Sequence, residues 1–239
     1  MVNSVPVKCG YSFIELVQSS TLSSIAINSG NIQDVKRIAS VIFVGSSLVG
    51  KSTLIDQMRC AIGADENLAP HFQIPKRVIT RPQRANDNTT ENQFVSVSEF
   101  DEMIRCGQIG LHWIRKMEAE RTEQYGFLNT DNGKIPVFSG NNAIVDNQLS
   151  VMPFDLLDQS LVVAVYCPDD LREERMRQRS PDLVSDKPQE AKYRMSDKAA
   201  NVCSKAHMVI KNFGSYQDSA KADVVSLLFL LKAAKSIQS

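Results

Sequence analysis

Cysteine is scarce and scattered in this chain. The five residues, Cys9, Cys60, Cys106, Cys167 and Cys203, are odd in number and form no C-x-x-C pair. That excludes a disulfide framework and a thiolate zinc site, and points to a reducing compartment. Net charge is absent as well, because 27 basic side chains balance 27 acidic ones. A protein that coats a polyanion would carry a basic excess, so no nucleic-acid partner is expected, although a local cationic site is compatible with neutrality. Long apolar runs are missing. The stretch Val224 to Leu231, near the C-terminus, falls far short of the roughly 20 residues that cross a bilayer. Nor does a Lys/Arg cluster followed by an apolar core open the chain, so no secretory leader and no membrane partner are expected and the expected location is cytoplasmic. The 239 residues are enough for one large domain that needs neither metal nor disulfide to fold.

Residues 1–35 are rich in Ser, Asn and Thr and are expected to form an extension, leaving 36–239 as the folded domain. Short β-branched segments then alternate with helical ones. Strands are expected at Ile38 to Val44, Arg77 to Thr80, Phe94 to Val97, Ile135 to Phe138, Leu161 to Cys167 and His207 to Ile210. Helices are expected at Lys51 to Ile62, Ser98 to Cys106, Asp169 to Arg179, Gln189 to Ala200 and Asp223 to Ala234. This alternation predicts an α/β fold with a parallel sheet covered by helices on both faces.

One segment carries a specific chemistry. Gly45-Ser46-Ser47-Leu48-Val49-Gly50-Lys51-Ser52 fits G-x-x-x-x-G-K-[ST] at every fixed position, between an expected strand and an expected helix. The glycines let the backbone turn its N–H groups inward on phosphate oxygens, and the helix N-terminus adds its positive dipole. Lys51 reaches the β- and γ-phosphates, and the Ser52 hydroxyl is a ligand for Mg²⁺. The expected ligand is a nucleoside triphosphate with Mg²⁺, held by Gly45 to Ser52 and Thr53. A guanine-reading N-K-x-D, which a GTPase would need, does not occur.

Further along, Arg77-Val78-Ile79-Thr80-Arg81-Pro82-Gln83-Arg84 is followed by Glu91-Asn92, by Phe94-Val95-Ser96 and by Glu99-Phe100. Leu111-His112-Trp113 and Tyr125-Gly126 come next. This series resembles the acceptor-binding segment of the guanylate kinase superfamily of phosphate-loop kinases. Within it, the series is closer to the ribose 1,5-bisphosphate phosphokinases. The resemblance implies an acceptor-binding insert at about 76–130, with Arg81, Arg84, Glu91, Asn92, His112 and Tyr125 on the acceptor. It also implies an arginine lid at about 172–196, because Arg175-Met176, Arg179-Ser180 and Arg194-Met195 follow the order of the family's lid arginines. Lys51, Arg175, Arg179 and Arg194 would then be catalytic, and Asn212 would lie on the adenine side.

Three departures bear on the acceptor. His112 stands where guanylate kinases carry the glutamate that reads guanine, and Ser139-Gly140-Asn141 replaces an acidic pair. Residues 115–124 are longer and more charged than the equivalent in either family. The resemblance implies transfer of the γ-phosphoryl group of ATP, bound with Mg²⁺, to ribose 1,5-bisphosphate. GMP as acceptor and a binding module without catalysis remain as alternatives.

Overall fold

The computed structural model describes residues 20, 22–28, 38–84, 87–116, 122–130, 133–140, 159–179, 181, 195 and 202–238. The main sheet contains β1 (Ile25–Ile27), β2 (Ser40–Val44), β3 (Phe72–Gln73), β8 (Ile135–Ser139), β9 (Ser160–Tyr166) and β10 (Met208–Lys211), in the order β1-β10-β9-β2-β8-β3. All its pairings are parallel except that of β1 with β10. Side chains alternate across a strand, so each central strand feeds two cores. Val41, Phe43, Val163 and Val165 face α1 (Lys51–Ala64) and α4 (Tyr216–Gln238), meeting Leu54, Met58, Val224 and Leu227. Ile42, Val44, Val162 and Ala164 face the other way. A strand buried on both faces must be apolar throughout, which accounts for the run from Leu161 to Val165.

The second face is covered differently. A separate four-stranded sheet has the order β5-β4-β7-β6, formed by β4 (Arg77–Ile79), β5 (Asn92–Phe94), β6 (Ile109–Lys116) and β7 (Thr122–Leu128). Its Leu111, Trp113, Tyr125 and Phe127 join the core of Ile42 and Phe138, together with Val202 and Ala206 from a short helical turn. Helix α2 (Val97–Arg105) lies on the outer side of this sheet, through Phe100 against Val78 and Ile109. The segment expected to form an acceptor-binding insert therefore contains a sheet, and the glycine-rich loop Gly45 to Ser52 lies at the carboxyl end of β2.

Several expectations shift. The strand expected at Phe94 to Val97 ends at Phe94, because Ser96 becomes the N-cap of α2. Ser96 accepts from the Glu99 N–H and Glu99 reaches back to the Ser96 N–H, a reciprocal capping box that overrides Ser98 as the start. Of the charged stretch 115–124, the described residues 115–116 and 122–124 belong to the paired ends of β6 and β7, with Arg115 opposite Glu123 and Lys116 opposite Thr122, and residues 117–121 lie outside the described residues. The helix expected at 189–200 lies outside the described residues apart from Met195.

The boundary expected at 35/36 also moves. Ile25–Ile27 pairs with β10, so part of the presumed extension belongs to the main sheet. Asp223 on α4 anchors it, its Oδ2 accepting from both Ser24 N and Ser24 Oγ at 2.7 Å. Asp223→Ala would leave two buried donors without their carboxylate, which costs about 1–3 kcal/mol. The expected outcome in urea unfolding is a lower midpoint together with faster proteolysis ahead of residue 24. An unchanged midpoint would show that β1 does not depend on this anchor.

Candidate active site

The phosphate loop is shaped by its neighbours. A Cβ on Gly45, whose φ is +147°, would sit 2.7 Å from the Val165 carbonyl oxygen of β9. Leu48 has φ +68°, a conformation rare for a leucine, and Gly50 at φ +91° is the N-cap of α1. No side chain caps this helix and its first turn contains no acidic residue. An uncapped N-terminus presents N–H groups and the positive end of the dipole to an anion. Lys51 folds back over the loop, donating from Nζ to the carbonyls of Gly45 and Ser46. Ser52 and Thr53 are exposed on the first turn, and Ser46 is buried within the loop. The residues expected to hold ATP thus form one continuous turn at a strand end, and their chemistry fits a polyphosphate.

The other side of the turn faces α3 (Asp169–Arg179). Its carbonyls point away from the N–H side and are met by three side chains. Arg172 Nε donates to Ser47 O at 3.0 Å and Arg175 Nη1 to Leu48 O at 3.1 Å. Asn212 Nδ2 donates to Val49 O at 2.8 Å, and Arg175 Nη2 donates to Asn212 O at 3.0 Å. Two residues expected in other roles are therefore found here: Arg175, expected in the lid, and Asn212, expected beside adenine. Arg179 is exposed at the end of α3, and Arg194 lies outside the described residues. Arg172 was visible in the sequence only as part of a charged helix face. Its spacing of three from both Asp169 and Arg175 is the signal that would have singled it out.

On the acceptor side the expected residues divide. Arg81 forms a two-pronged ion pair with Asp87, at 2.6 and 2.7 Å, and its guanidinium lies 5.4 Å from the centre of the Phe94 ring. Asp87 also accepts from the Arg84 N–H, which ties the loop together, while the Arg84 side chain is exposed. Tyr125 is buried, stacked on Trp113 with ring centres 5.6 Å apart, and its hydroxyl donates to Glu123 Oε2 at 2.5 Å. Glu123, only 3% exposed, is a buried carboxylate on the Tyr125 face. Asn92 is turned inward, its Oδ1 accepting from Arg77 Nε and its Nδ2 donating to Asn88 O. Glu91 accepts from Arg59 on α1 and from Asn88, and burial raises its pKa above the usual carboxylate value.

His112 does not share a face with Tyr125. It pairs across the sheet with Gly126 and points toward α2, with its ring edge-on to Phe100 at 6.3 Å. Period-two alternation places Leu111 and Trp113 on the inner side and His112 on the outer one. Its Nδ1 is buried without a hydrogen-bond partner, and burial lowers its pKa. The expectation that one surface collects Arg81, Arg84, Glu91, Asn92, His112 and Tyr125 is thus corrected. Arg81 and Tyr125 lie near each other, whereas Asn92 and Glu91 are engaged elsewhere and His112 faces away.

The Arg81 pair has a pH signature. Hydrogen bonding to Arg81 holds Asp87 at about 2, against an ordinary 3.8. A depressed carboxylate pKa stabilises the fold above the unfolded value, and that contribution is lost as pH falls from about 4 through 2. Asp87→Asn should flatten the fall in unfolding free energy over that window, with little change at pH 7 beyond the loss of the pair. Identical acid limbs in the two proteins would show that the pair contributes nothing in solution.

Among the described residues no group of three or more His, Cys, Asp or Glu side chains is placed to hold a metal ion, and Ser52, the expected Mg²⁺ ligand, is exposed on the first turn of α1. No helix among them is long and apolar enough to cross a membrane.

No family model matches the chain. A 73-residue stretch, 30% of the chain, is 33% identical to a ribose 1,5-bisphosphate phosphokinase from Methylobacterium radiotolerans and covers 38% of that relative. The chain thus spans well under half the length of the curated protein it matches. A solved guanylate kinase from Anaplasma phagocytophilum is similar over 80% of this chain and 84% of its own, with a TM-score of 0.47 and 15% identity.

Proposed function

We propose that this protein is an ATP-dependent phosphotransferase whose acceptor is a small phosphorylated molecule, ribose 1,5-bisphosphate, with 5-phosphoribosyl 1-diphosphate as product. One observation supports the kinase reading above all: a complete phosphate loop at a strand end, opening into a helix that no side chain caps. In the transfer, the bond between the β–γ bridging oxygen and the γ-phosphorus of ATP breaks. A phosphate oxygen of the acceptor forms the new P–O–P link. Such reactions need positioning and charge neutralisation more than covalent help. Lys51 and the loop N–H groups hold the polyphosphate, Arg179 and Arg194 neutralise the group in flight, and Arg81 with Arg84 holds the acceptor phosphate. For the last role Arg81 must exchange Asp87 for the ligand, a swap of one anion for another.

The sugar bisphosphate is supported by the partial relative. A specific observation favours GMP as the second reading. Glu123 places a buried carboxylate beside Tyr125, and base N–H groups are what such a carboxylate would accept. The test is ADP release from MgATP with ribose 1,5-bisphosphate, GMP, dGMP, AMP and UMP as acceptors. A higher kcat/KM for the sugar bisphosphate than for GMP supports the proposal. Efficient turnover of GMP alone transfers it to guanylate kinase activity, and absence of both nucleotide binding and turnover leaves the binding module.

A further inference from the structure

The three donors behind the phosphate loop form a device that the sequence motif does not contain. A loop that turns its N–H groups toward phosphate must turn carbonyls the other way, and buried carbonyls need partners. Ser47, Leu48 and Val49 are consecutive, and each carbonyl is taken by a different side chain, from Arg172, Arg175 and Asn212. Arg172 is the anchor. Its guanidinium has no exposed surface, and besides Ser47 O it binds Asp169 Oδ1 at 2.6 Å. The Asn212 amide occupies the space where a Cβ on Gly50 would lie, 2.2 Å from its Nδ2, so Gly50 and Asn212 are fitted to each other. At the centre of this stretch Leu48 is held at φ +68°. Such a conformation persists where its surroundings over-determine it.

We propose that Arg172, Arg175 and Asn212 are positioning residues that keep the phosphate loop in its binding shape before nucleotide arrives, acting on the donor through the loop backbone. The clamp joins three separated parts of the chain, the loop, α3 and the segment after β10. The part of the inference that concerns ATP rests on the proposed function, whereas the part that concerns loop shape does not.

The experiment uses the full-length protein with Asn212→Asp, which turns the amide donor into a carboxylate opposite the Val49 carbonyl. Arg172→Met and Arg172→Lys accompany it as the deletion and the conservative partner. Amide hydrogen exchange is measured without nucleotide, and MgADP affinity and steady-state kinetics are measured on the same samples. The clamp predicts exchange at residues 46–50 about tenfold faster in Asn212→Asp, the scale of one lost hydrogen bond, with the amides of α4 unchanged. It also predicts MgADP binding about tenfold weaker and a raised KM for ATP with the acceptor KM preserved, and partial rescue by lysine at position 172. Loop exchange and MgADP affinity within twofold of the parent would overturn it. If the parent protein binds no nucleotide, the kinase reading fails, and the exchange data still decide the clamp. If Arg172→Met does not fold, Asn212→Asp carries the test alone.

Discussion

Lys51→Ala is expected to lower kcat/KM with the best acceptor by at least about 10²–10³-fold while leaving the thermal midpoint within a few degrees of the parent. The two halves of this expectation have separate origins. The side chain belongs to none of the apolar clusters and is part-buried, with its Nζ donating to the Gly45 and Ser46 carbonyls, so its removal takes nothing from the hydrophobic core. Its charge is nevertheless the only formal positive charge within the motif itself. A fixed cation aimed at developing charge in a site shielded from water contributes on that scale, as removal of a single preorganised donor does elsewhere. Steady-state kinetics and a melting curve on the same preparation check both halves. Near-normal turnover in a folded variant would mean that phosphoryl transfer happens elsewhere or not at all.

Gly45→Val should fail in the opposite way, through the fold. The first side-chain atom would lie 2.7 Å from the Val165 carbonyl oxygen and 3.1 Å from Val49 Cγ2. The first of these is backbone of a central strand and cannot step aside without disturbing the pairing of β2 with β9. The backbone at φ +147° adds strain for any residue with a Cβ. Steric overlap in a core and a special backbone angle are two of the mechanisms behind large destabilisations, and together they set an expected loss of about 3–5 kcal/mol. Gly63→Ala serves as the baseline. It lies in α1 with open space around its Cβ, so there alanine should stabilise by about 0.5–1 kcal/mol. Denaturant unfolding of both variants decides, and a Gly45→Val protein as stable as the parent would contradict the close approach of the loop to β9.

His112 shows how far a motif comparison reaches. Position 112 falls where a guanine-reading carboxylate would be expected, yet pairing with Gly126 turns its side chain to the α2 side of the sheet. Sequence alignment supplies the neighbour along the chain, whereas the face is set by the register against β7. A shift of one residue would put His112 on the inner face in place of Trp113. The same alternation brings Glu123 into the site beside Tyr125, two residues away on one strand.

What the sequence by itself determined is local. The phosphate loop needed only its own eight residues and the strand and helix around them, because turn, glycine and dipole are short-range properties. The central strands β2, β8 and β9 were legible for the same reason, as a strand covered on both faces must be continuously apolar. Only the tertiary structure decided how distant segments meet. It added Ile25–Ile27 to the sheet edge through Asp223, more than 190 residues away. It closed the second face with aromatics from another sheet. And it carried Arg172, Arg175 and Asn212 to the back of the loop, where they donate to three consecutive loop carbonyls from positions distant in sequence.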